Sequence, residues 1–69
     1  MRAFYATYRS VRVFVFGVPE GWQVGVYDLQ RKQWQMDSAL RDTLKEAKVA
    51  AEEQAVALIG KKLPGMKWH

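Results

Sequence analysis

Residues 43–60 constrain this chain more than any other stretch, because they read as one helix with both ends marked. Thr43 and Glu46 stand three apart, the capping-box spacing, in which the threonine hydroxyl accepts a free N–H of the first turn. Gly60 falls where a helix can close in the left-handed conformation, and Pro64 forbids its continuation. Leu44, Ala47, Ala51, Ala55 and Leu58 recur at steps of three and four, so they form one stripe. That stripe is mostly alanine, which lets a second layer come very close.

The second layer has to come from what precedes the helix. Residues 10–18 place Val11, Val13 and Val15 against Arg12, Phe14 and Phe16, a β-branched and aromatic run suited to a strand. Both of its faces are apolar, so periodicity leaves open which one meets the helix. Residues 17–21, with Pro19 and two glycines, are a turn. Residues 22–28 alternate cleanly, with Trp22, Val24 and Val26 on one face and Gln23, Gly25 and Tyr27 on the other. Residues 32–36 make a third strand after a short polar link. The expected fold is α+β: a three-stranded antiparallel β-meander packed against one C-terminal α-helix (βββα), in a single domain spanning 1–69.

Two stretches are open in this reading. Residues 1–9 are an arm or the lead-in to the first strand, and at least one of Phe4 and Tyr5 packs. The tail, 61–69, is expected to fold back over Val49 and Val56, where Leu63, Met66 and Trp68 find a surface. Leu58→Ala or Trp22→Ala is expected to unfold most of the chain, since each removes a large side chain from a small core.

Sixty-nine residues bury only about 60% of their unfolded surface, so stability depends on dense packing or on self-association. No cysteine is present, which excludes disulfides and thiolate metal sites and suits a reducing compartment. The one histidine, His69, rules out a histidine-rich metal site. No apolar run nears the roughly 20 residues of a membrane span. The first ten residues lack the apolar block of about 7–15 residues that a secretory leader needs. The expected setting is cytoplasmic, with no membrane partner.

An enzyme needs convergent titratable or nucleophilic groups. Ser10, Ser38, Thr7 and Thr43 have no histidine beside them, and the adjacent Glu52 and Glu53 diverge around the helix. Gly17, Gly21 and Gly25 are spaced as turn and strand glycines and do not form a phosphate-cradling loop. The expectation is a protein without catalytic activity, cofactor, metal or small-molecule substrate.

The net charge is +4, and its distribution favours one region as a contact surface. Arg2, Arg9, Arg12, Arg31 and Lys32 face only Glu20 and Asp28 in residues 1–36, while the helix carries Glu46, Glu52 and Glu53. A polyanion is drawn to the first half. With the valines turned to the helix, the outer sheet face shows Arg12, Phe14 and Phe16, then Gln23, Gly25 and Tyr27. The third strand adds either Arg31, Gln33 and Gln35 or Lys32, Trp34 and Met36, depending on register. Basic side chains meet phosphates, and aromatic ones contact bases or sugars. The expected site is therefore Arg9, Arg12, Tyr27, Arg31, Lys32 and Trp34, with DNA or RNA as partner. The alternative is a protein-interaction module that forms a homodimer through the same face.

The order Tyr8-Arg9-Ser10-Val11-Arg12, Trp22-x-Val24-x-Val26-x-Asp28, Trp34 and Thr43-x-x-Glu46-Ala47 resembles the plant ethylene-response-type DNA-binding domain. The pattern is also similar to the arm-site-binding domains of phage-type integrases and to small uncharacterised bacterial domains of the same outline. The resemblance covers residues 8–55. It implies three strands on a helix, with the sheet placed in the DNA major groove. Position by position it carries over Arg9, Arg12, Lys32 and Trp34. Gly25 stands where the plant family has a base-contacting glutamate, and Tyr27 where it has arginine.

Overall fold

The computed structural model describes residues 2–60 and 66–69. Its α+β arrangement has one strand more than expected: β1 (Ala3–Tyr8), β2 (Val11–Val18), β3 (Gly21–Asp28), β4 (Gln33–Met36) and α1 (Leu44–Ile59). The four strands form one antiparallel sheet in the order β1-β2-β3-β4. The N-terminal stretch is thus a full edge strand that pairs along β2 from Ala3↔Phe16 to Tyr8↔Val11. Its turn hides it in the sequence. Arg9 takes the left-handed position, φ 55°, which glycine or asparagine would ordinarily mark. Lys32 does the same at the end of the β3–β4 turn, with φ 56°.

Antiparallel pairing settles which way each strand faces. Val11, Val13 and Val15 of β2 and Val24 and Val26 of β3 are buried toward the helix, together with Ala6. Phe4, Trp22 and Ile59 pack at the margin of this core, and the Phe4 and Trp22 rings lie 6.2 Å apart. Small residues on the helix oppose branched ones on the sheet: Ala47, Ala50, Ala51 and Ala55 are all buried.

Both helix caps form as read. The Thr43 side chain accepts a hydrogen bond from the Glu46 N–H at 3.1 Å, and Gly60, φ 79°, donates its N–H to the Val56 carbonyl. The stripe differs at its end, because the buried row runs 47, 51, 55 in steps of four. Its next member is Ile59, which leaves Leu58 42% exposed beyond the sheet. Leu58 is therefore no core anchor, and its truncation leaves the core in place, contrary to the expectation from the stripe.

Between β4 and α1 the chain stays tied to β3. Trp22 and Arg41 exchange backbone hydrogen bonds of 2.8 and 2.9 Å. The Asp37 carboxylate accepts from Arg41 Nη2 at 3.0 Å, from Gln54 Nε2 at 2.9 Å and from the Ala39 N–H at 3.0 Å, which fixes the loop to the helix.

Of the tail, residues 66–69 lie against the β1 edge, and Val49 stays exposed. Tyr5 and His69 exchange backbone hydrogen bonds of 3.1 and 2.8 Å, an antiparallel pair that extends the sheet past β1. Trp68 turns to the helix side. Its indole N–H donates to Glu52 at 3.3 Å, and the Lys48 ammonium sits between the Phe4 and Trp68 rings. Leu63 lies outside the described residues.

Candidate nucleic-acid interface

Strand register assembles the outer sheet face in rows that run across the strands. Thr7, Arg12, Tyr27 and Trp34 form one row, and Tyr5, Phe14, Gly25 and Met36 the next. Ala3, Phe16 and Gln23 form a third. The pairing Tyr27↔Trp34 therefore selects Trp34 and Met36 for this face. Adjacent rows are about 7 Å apart, two residues along a strand.

The rings form one connected cluster. Phe14 is at its centre, 5.0 Å from Trp34, 5.8 Å from Phe16 and 6.1 Å from Tyr5 between ring centroids. Tyr27 supports Trp34 from its other side at 5.0 Å. His69 adds its imidazole beside Tyr5, 5.4 Å away. Gly25 makes this closure possible. It lies opposite Phe14 and Met36, and a Cβ there would come within 2.7 Å of the Met36 sulfur. Without a side chain on β3, rings and thioether from β2 and β4 close over it. Trp34 remains 53% exposed and Tyr5 41% exposed.

Of the six residues expected at the site, the structure brings Arg12, Tyr27 and Trp34 together on the outer face. Arg12 lies back across β1: its Nε donates to Thr7 Oγ1 at 2.8 Å, and its guanidinium carbon is 5.4 Å from the Tyr5 ring centre. Among the described residues its two Nη groups have no protein partner, so they can meet an anion. Lys32 stands in the exposed β3–β4 turn at the same end of the sheet, without an ion pair among the described residues.

Arg9 and Arg31 do not join them. Both line a hollow on the helix side, between the two turns and Leu58 and Ile59. Arg9 lies over the Tyr8 ring, 5.5 Å away, and Arg31 reaches the Asp28 carboxylate at 3.9 Å. The last turn of α1 carries no basic residue, and cations are favoured near the negative end of a helix.

Tyr5 and His69 belong to the face and were not among the expected residues. Tyr5 had a signal, the alternation of Phe4, Ala6 and Tyr8 with Tyr5 and Thr7, but no recognisable turn after it. His69 had none, since only the pairing with Tyr5 brings it there.

A separate groove of ≈ 630 Å³ opens at the far end of the sheet, between Arg2, the β2–β3 turn and Trp22. No grouping of acidic, histidine or cysteine side chains able to hold a metal occurs among the described residues, and no helix there is long and apolar enough to cross a membrane. Set against family models, curated proteins and solved structures, the chain matches none.

Proposed function

We propose that this is a small nucleic-acid-binding domain whose contact surface is the outer face of its sheet. The observation that carries the reading is the aromatic cluster with Trp34 and Tyr5 half exposed, bordered by Lys32 and by the Nη groups of Arg12, which have no partner among the described residues. Aromatic faces accept bases or sugars, and cations at the border accept phosphates. The net charge of +4 draws a polyanion toward the domain before contact. Arg9 and Arg31 contribute through that longer-range field, since their side chains lie toward the helix.

The test is a salt titration of binding to labelled nucleic acid. Affinity is expected to fall steeply as salt rises, because each neutralised phosphate releases counterions. Arg12→Ala and Lys32→Ala are each expected to flatten the logarithmic slope by about 0.7–0.9. An absence of binding at low salt would reject the proposal.

One observation favours a second reading. Phe14, Phe16, Trp34 and Met36 make the face more apolar than cationic, and such patches often mark protein contacts. Under that reading the chain forms a homodimer through the same face. Sedimentation equilibrium at high protein concentration decides it: a monomer excludes the dimer, and a dimer broken by Trp34→Ala supports it.

A further inference from the structure

We infer that the nucleic acid taken by this face is single-stranded, with bases laid on the rings, and that the sheet does not enter a duplex groove. This rests on the nucleic-acid reading above and narrows it.

The width of the surface is the first argument. Its side chains come from all four strands, and the axes of β1 and β4 are about 14 Å apart over three strand spacings. The B-DNA major groove is about 12 Å wide and admits a helix or a two-stranded ribbon. The backbone pairing of His69 with Tyr5 broadens the sheet further at its β1 edge.

The chemistry of the face agrees. Reading a duplex requires donors and acceptors that project to base edges. Among the described residues the outer face offers three polar side chains besides its tyrosines, tryptophan and histidine: Thr7, Arg12 and Gln23. Thr7 is engaged by Arg12 Nε, which leaves the Arg12 Nη groups as the one free fork of donors, and Gln23 is only partly exposed opposite Phe16. Duplex affinity rests mainly on phosphate contacts, yet Arg12 is the only cation among these rows. Stacking needs few charges. It needs ring faces held ready, and Trp34 is braced by both Phe14 and Tyr27 while Tyr5 is braced by Phe14 and Arg12. The row spacing of about 7 Å is twice the roughly 3.4 Å between bases in a duplex strand, so neighbouring bases would be splayed onto separate rings. A sheet of this size accommodates about two or three bases in that way.

The experiment compares fluorescence anisotropy of labelled oligothymidylate and oligouridylate, each about 12 nucleotides long, with a mixed-sequence duplex of the same length at low salt. The single strands are expected to bind at least about tenfold more tightly than the duplex. Trp34→Ala, at an exposed position whose loss leaves the core intact, is expected to weaken single-strand binding about tenfold. A duplex that binds as tightly as the single strands overturns the inference while leaving the broader reading in place. So does a Trp34→Ala variant that binds single strands as the parent does. If neither single strand nor duplex binds, the nucleic-acid reading itself falls.

Discussion

Two glycines of β3 behave in opposite ways under substitution. Gly21 has φ 149°, and an added Cβ would lie 2.6 Å from the Arg41 carbonyl oxygen, a backbone atom held by the pairing of Arg41 with Trp22. Gly25 has room of another kind, since the closest atoms to an added Cβ are the sulfur and methyl of Met36. That side chain is flexible and half exposed, so it can swing away. Gly21→Ala is therefore expected to cost about 2 kcal/mol or more, from strain and from a lost backbone pairing. Gly25→Ala is expected to stay within about 1 kcal/mol of the parent, because the unfolded chain loses freedom while Met36 moves cheaply. Urea denaturation of both variants checks the order, and a larger loss at Gly25 than at Gly21 would contradict it.

At the scale of the element, α1 acts as scaffold and the sheet carries the surface. Its alanines let the backbone approach β2 and β3 closely, and its capped ends fix its length at Leu44–Ile59. The step of four through Ala47, Ala51 and Ala55 sends Ile59 inward and Leu58 outward. Leu58→Ala is accordingly expected to cost less than about 1 kcal/mol, as for a largely solvated side chain. Trp22 packs on Phe4 at the core margin and is anchored through its backbone to Arg41, so Trp22→Ala is expected to cost about 3 kcal/mol. In a domain of this size each kcal/mol lowers Tm by about 4–8 °C, so thermal melts separate the two variants. Equal shifts would mean that the helix is rotated from the placement described.

At the scale of the whole molecule, the two ends of the chain are held together. The Tyr5 N–H points away from β2 and donates to the His69 carbonyl, so its protection from solvent depends on the tail. Trp68 adds a bond to Glu52 and a cation–π contact with Lys48, which also lies over Phe4 of β1. A chain truncated after residue 65 is expected to lose hydrogen-exchange protection at the Tyr5 amide. Gly17, whose N–H donates to the Arg2 carbonyl at 2.7 Å, is expected to keep its protection. Unchanged exchange at Tyr5 would show that the tail does not guard this edge. Truncation also removes His69 from beside Tyr5, so it reshapes one border of the aromatic face.

The sequence by itself determined the elements whose signals are local. Thr43 and Gly60 marked the helix because capping is chemistry between near neighbours. Trp22, Val24 and Val26 marked a strand with one buried face because its period of two is written in consecutive residues. Only the tertiary structure decided what depends on partners. Strand β1 was obscured because its turn uses Arg9 where a glycine signal would stand, so its identity rests on pairing with β2. The facing of Phe14 and Phe16 was open because β2 is apolar on both sides, and register with Val24 and Val26 against the helix resolved it. The candidate site followed the same rule. Arg12, Tyr27 and Trp34 share a row because cross-strand register aligns them, whereas Arg9 and Arg31 turn toward the end of α1. A charge's position in the sequence says that it is present. The direction in which it points is set by the fields and surfaces that folding brings beside it.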